Sequence, residues 1–136
     1  MSDTTHDVVG IGNAIVDVLA HADEAFLERH ERPKGSMTLI DAERAEALYA
    51  AMTPVAEISG GSAANTIAGL ASLGGRGAYI GKVNDDPLGH AFRSHIRQAG
   101  VTFETAAAVD GPPTARCLIF VTPDAQRTMQ TVLGAS

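Results

Sequence analysis

The chain is predicted to fold as an α/β protein. Three observations carry this. Aliphatic and β-branched runs alternate with runs at helical spacing. The helical runs tend to open on a capping residue or proline and close on glycine. Composition, with 45% hydrophobic and 19% charged residues, supplies a core. At 136 residues the length suits one domain with a genuine core rather than two.

The elements follow in order. Val8 to Gly12 reads as a buried strand ending in glycines, and Ile15 to Leu19 as a second extended piece. Glu24 to His30 is predicted as a short helix, Pro33 to Gly35 as a turn and Met37 to Ile40 as a short strand. Asp41 caps a helix through Met52, whose apolar stripe is Ala45, Leu48, Tyr49 and Met52. Val55 to Ile58 is a strand that enters Gly60-Gly61, and Ser62 to Leu73 a helix stopped by Gly74-Gly75. Ala78 to Val83 is a strand. Asp86-Pro87 opens a helix with proline at its first position, closed by Gly100. Val101 to Glu104, Arg116 to Thr122 and Arg127 to Leu133 read as strands, the last two joined at Asp124-Ala125. The alternation predicts a mostly parallel sheet covered on both faces. The strands at 15–19, 37–40 and 101–122 break that rhythm and are expected to form a second, smaller sheet.

Charge and composition exclude several functions. The net charge of −6 disfavours nucleic acid and anionic membrane surfaces, and aromatics at 4% with no Trp disfavour base-stacking platforms. No apolar run approaches a membrane span. The start, MSDTTHD, lacks a signal-peptide core, and a single cysteine fits a reducing compartment, so a cytoplasmic location is expected.

Several motifs carry no chemistry. Gly10-Ile11-Gly12 opens like a dinucleotide fingerprint, but Ile15 stands where the third glycine belongs and no helix follows. Gly81-Lys82-Val83 lacks the first glycine and the Ser/Thr of a P-loop. The five histidines have no metal-site spacing, and His90 and His95 read as surface residues. Cys117, in an apolar run, reads as a small buried hydrophobe.

Two features leave alternatives open. Asp17 interrupts an apolar strand, either as an exposed edge carboxylate or as a carboxylate held to accept paired hydroxyl donors. Gly60-Gly61 is either part of helix capping, with Ser62 at the N-cap and Asn65 at the third helical position, or a bare corner approached by a ligand. In the second case Asn65 would offer donor and acceptor from the first turn.

Taken together, Gly12-Asn13-Ala14-Ile15-Val16-Asp17, Gly60-Gly61-Ser62-Ala63-Ala64-Asn65, and Gly81-Lys82-Val83 with Asp86-Pro87-Leu88-Gly89 resemble the amino-terminal half of the phosphofructokinase-B (ribokinase-like) kinases. The opening leans toward the adenosine-kinase-like branch. The resemblance implies the amino-terminal part of a three-layer α/β/α domain over residues 1–136, with a β-sheet lid drawn from about 15–40 and 101–122. It implies a substrate site of Asn13, Asp17, Gly60, Gly61 and Asn65, with Arg127 near the transferred phosphate. The partner would be a small-molecule sugar or nucleoside. A homodimer through the lid is compatible with the family.

The resemblance also implies ATP and Mg²⁺. The Asp-Thr-x-Gly-Ala-Gly-Asp signature that supplies the catalytic base, and the Asn-x-x-Glu motif associated with Mg²⁺, are absent from the sequence. Hence no catalytic base is assigned, and ATP and Mg²⁺ are expected to be held mainly by a carboxy-terminal half. The chain is expected to be a truncated kinase, inactive alone. The alternative is a stand-alone sugar-binding or regulatory module derived from the kinase fold.

Overall fold

The structure, a computed structural model, describes residues 4–136; the first three residues of the polar amino-terminal stretch lie outside it. In chain order the elements are β1 (Val8–Ile11), β2 (Ile15–His21), α1 (Glu24–Arg29), β3 (Met37–Leu39), α2 (Ala42–Ala51), β4 (Ala56–Gly60), α3 (Ser62–Ser72), β5 (Gly77–Ile80), α4 (Pro87–Gln98), β6 (Ala115–Val121) and β7 (Arg127–Val132). The predicted α/β class holds.

The strands divide into two sheets. β1 and β5 pair in parallel, while the other strands form a five-stranded mixed sheet in the order β3-β7-β6-β2-β4. Within it β6 is the middle strand, and β2 runs parallel to β6 and antiparallel to the edge strand β4. The second sheet is therefore the larger one among the described residues, against expectation. The segments at 55–58 and 127–133 fit the alternating rhythm, yet they fold as β4 and β7 and join the five-stranded sheet. Pairing decides membership, and pairing is not a local property of sequence.

Two further expectations need correction. Residues 101–104 form no strand. Thr102 makes a single bridge to Ala78, donating to the Gly77 carbonyl (3.0 Å) and accepting from Tyr79 N–H (2.9 Å). That segment thus lies beside β5 and not in the five-stranded sheet; Phe103 holds it there by packing on Tyr79 and Phe92 at 5.8 and 5.5 Å. The β1 strand is not buried: Val8, Val9 and Ile11 are 44%, 53% and 75% exposed.

The core has two lobes joined into one cluster. One is the Tyr79, Phe92 and Phe103 aromatic triad, with Ile67 and Ile96. The other lies behind the five-stranded sheet, where Val16, Val18, Leu118 and Phe120 meet Leu27, Leu48 and Met52 from α1, α2 and the end of α2. Each such side chain, fully buried, contributes about 1.5–3 kcal/mol. Strand alternation then leaves Asp17, between Val16 and Val18, on the opposite face.

Candidate substrate site

The site begins at a corner built from two glycines. Gly61 is the N-cap of α3 with φ +92, a left-handed conformation that favours glycine. Ser62 is therefore the first helical residue and not the cap, no side chain caps the helix, and Asn65 sits fourth rather than third. A side chain on Gly61 would meet the Asn13 carbonyl oxygen at 2.5 Å. A side chain on Gly60 would meet the Asp17 carboxylate at 2.5–2.8 Å. Both glycines are thus required by the protein's own close contacts: the carboxylate of Asp17 lies over Gly60, and the backbone of Asn13 lies against Gly61.

This brings Asn13, Asp17, Gly60 and Gly61 to one corner, where β2 and β4 pair with Ile15 opposite Gly60. Asn65 stands one helical turn on, its N–H bonded to the Gly61 carbonyl at 2.9 Å. Both asparagines are exposed. Asp17 is half-buried, and burial pushes its carboxyl above the usual carboxylate range; no hydrogen bond or neighbouring charge offsets that push. An unpaired carboxylate in this state is poised to accept donors from outside.

The face around Asp17 is apolar. Register places Leu19, Ile58, Ile119, Met129 and Leu39 on its side of the sheet. Ile58 and Leu39 are 51% and 60% exposed. Cys117, directly beside Asp17, is buried and accepts a hydrogen bond from Thr131 Oγ1 at 3.3 Å, and burial pushes its thiol up; it behaves as the small hydrophobe expected.

Arg127 shares this face but opens β7 at its far end, exposed and opposite Val121. Two strand spacings and four residues of rise separate it from Asp17, about 17 Å between Cα atoms. The open sheet does not bring Arg127 to the corner.

One residue of the corner carried no clear signal in the sequence. Tyr79, almost fully buried, donates its hydroxyl to the Gly12 carbonyl at 2.7 Å, and burial pushes that hydroxyl up to about 12. It braces the turn that presents Asn13. The Gly10-x-Gly12 spacing also finds its reason: side chains there would strike Ile67 and Ala63 of α3. These glycines let α3 approach β1 closely. His90 pairs with Asp85 at the surface, whereas His95 is partly buried and accepts from Ser59 N–H at 3.3 Å.

Among the described residues no group of three or more acidic, histidine or cysteine side chains could hold a metal ion. Among the described residues no helix is long and apolar enough to cross a membrane.

Comparison with known proteins adds a further constraint. Residues 35–136 match the profile of the pfkB family carbohydrate kinases. The crystal structure of adenosine kinase from Sinorhizobium meliloti superposes with a TM-score of 0.87 at 57% identity, covering 97% of this chain and 40% of that one. A probable sugar kinase protein from Rhizobium etli CFN 42 gives 0.87 and 52% over the same shares. Probable fructokinase-4 from Arabidopsis thaliana is 35% identical over 68 residues, 50% of this chain and 21% of that protein. The chain thus spans well under half the length of these relatives.

Proposed function

The chain belongs to the pfkB carbohydrate kinase family, and from that premise we propose that it is the substrate-binding half of an ATP-dependent sugar or nucleoside kinase. In this reading Asp17 accepts hydrogen bonds from two adjacent sugar hydroxyls, and the complete enzyme phosphorylates a primary alcohol of the same molecule. The single observation that carries it is the unpaired, half-buried carboxylate of Asp17 held over Gly60. Asn13, Gly61 and Asn65 complete the ring site, and the five-stranded sheet serves as a lid. Closure of that sheet brings Arg127 toward the transferred phosphate. The setting is the reducing cytoplasm, where Cys117 stays a thiol.

Phosphoryl transfer depends on positioning and on charge stabilisation. This chain's residues supply the first. Each charge-assisted hydrogen bond to Asp17 contributes about 1.5–3 kcal/mol. ATP and Mg²⁺ would be held mainly by a carboxy-terminal half, where ATP would supply the phosphoryl group and Mg²⁺ would neutralise its charge; on this reading the chain alone turns over no substrate.

The apolar surround of Asp17 favours a nucleoside over a free sugar. A free sugar would leave Ile58, which pairs directly with Asp17, facing water, whereas a base attached to the ring would cover it. The 57% identity to an adenosine kinase points the same way.

Calorimetric titration of the chain with adenosine, ribose and fructose tests this. Adenosine is expected to bind most tightly, and Asp17→Ala to weaken binding by a few kcal/mol, the loss of two charged hydrogen bonds. Equal affinity of wild type and Asp17→Ala would show that the carboxylate takes no part in binding. Phosphorylation by the purified chain with ATP would overturn the division of labour.

A further inference from the structure

On the face of the five-stranded sheet opposite Asp17, α2 and α4 leave a cleft of about 250 Å³ between them. Its walls are Glu46 and Tyr49 from α2, Glu57 from β4, Pro87 and Leu88 from α4, and Arg116 from β6. Arg116 is the unusual member. Its side chain is 7% exposed, stacks on the Tyr49 ring at 5.1 Å and pairs through Nη2 with the rim carboxylate of Glu46. Its Nε–H is buried and has no partner among the described residues. Buried donors are rarely left so, because an unmade hydrogen bond in a low-dielectric site is costly.

The other donors of the cleft are already spent. Tyr49 spends its hydroxyl on Glu57 Oε1 at 2.8 Å. The Asp86 carboxylate is fully engaged with Thr114 N–H, Thr114 Oγ1 and Gly89 N–H at 2.7–2.8 Å, and forms a fixed wall. Three carboxylates, Glu46, Glu57 and Asp86, thus line the cleft against one guanidinium. An anion is disfavoured. A suitable occupant presents one acceptor to Arg116 Nε, offers N–H donors to Glu57 or Glu46, carries no negative charge and lies flat against Pro87 and Leu88. The volume falls just below the range of drug-sized sites, about 300–1,000 Å³, and suits a lone ring system.

We propose that this cleft is a second ligand site, taking an uncharged, nitrogen-rich planar heterocycle of the nucleobase type. It is separate from the Asp17 corner, with the sheet between them. Its occupant bridges α2, which packs on β6 and β7, to α4, which packs on β4 and β2.

The test is a titration of the 136-residue chain with adenine, followed through the Arg116 Nε–H resonance by NMR. A saturable shift is expected, and the same affinity in Asp17→Asn. Leu88→Trp, which fills the cleft from α4, is expected to abolish it. Arg116→Lys, which keeps the charge but removes Nε–H and is therefore titrated through the backbone amide resonances of Tyr49, Glu57 and Leu88 in the cleft wall, is expected to weaken binding roughly tenfold or more. Adenosine monophosphate, which adds negative charge, is expected to bind roughly tenfold more weakly than adenine. The amide fingerprint of each variant checks its fold, and the wild-type resonance stands independently of them. No shift at the solubility limit of adenine means that water alone fills the cleft and overturns the proposal. A shift that Asp17→Asn removes and Leu88→Trp spares overturns it too, since the ring then sits at the sugar corner. Tighter binding of the monophosphate than of adenine would make the cleft an anion site instead.

Discussion

At the scale of single residues, Asp17 sets up a conflict between stability and binding. Burial raises its folded-state pKa, so the folded chain prefers the protonated carboxyl. The stability this confers is complete below the ordinary carboxylate value of about 3.9 and is lost as pH rises through the raised folded value. At neutral pH the wild type therefore carries an unfavourable buried charge, and Asp17→Asn should melt at a higher temperature. That advantage should shrink as the solution is acidified, because the wild-type carboxyl then becomes neutral as well. Sugar binding should move the opposite way and fall on acidification, since only the ionised form accepts two hydroxyls. Melting curves of both proteins across the acid range check this; identical melting temperatures at neutral pH would show a fully solvated carboxylate. The sequence made Asp17 conspicuous because it interrupts an apolar strand. It could not show that Gly60 is bare for the sake of that carboxylate, since the contact depends on β2 and β4 pairing in one particular register.

At the scale of elements, what was legible was local. Asp41 and Asp86 cap α2 and α4 as predicted, each accepting from the N–H three residues on at 2.8 Å. The turn at Asp124-Ala125 joins β6 to β7, with Ala125 at φ +62. The illegible part was partnership. β2 pairs with β6 about a hundred residues later, and nothing in either strand names the other. The Asp86 cap also does more than its sequence position suggests, because Thr114 N–H and Oγ1 both bond to it and fix the start of β6. Burial raises its pKa, but the bonds from Thr114 and Gly89 outweigh burial and hold it low. Asp86→Ala should then cost more than a cap alone, about 1 kcal/mol for the cap and a similar or larger amount for the charged bonds to Thr114. Asp86 contributes stability above the ordinary carboxylate pKa, and that contribution is lost as pH falls through its lowered value. Denaturant unfolding of Asp86→Ala and Thr114→Val at neutral pH checks it. A loss no larger than a cap's would show that β6 does not depend on this anchor.

At the scale of the whole molecule, the β1–β5 sheet is unfinished. Parallel sheets are ordinarily covered on both faces, and two strands alone are marginal. Among the described residues β1 has an unpaired outer edge, and Val8, Val9, Ile11 and Ile80 are 44%, 53%, 75% and 46% exposed around it. An open, apolar strand edge is a template for pairing with another chain. The open face of the five-stranded sheet, where Leu39 is 60% exposed, offers a second route to pairing. The two surfaces respond to different substitutions. If the β1 edge dominates, the 136-residue chain sediments as a concentration-dependent oligomer, Ile11→Lys shifts it toward monomer, and Leu39→Lys leaves it unchanged. If the five-stranded sheet's face dominates, Leu39→Lys dissociates it and Ile11→Lys leaves it unchanged. The larger exposure of Ile11, and the hydrogen-bonding groups that β1 leaves unpaired beside it, favour the first outcome. A monomer that sediments without concentration dependence and unfolds in one cooperative step would show that neither surface draws a partner.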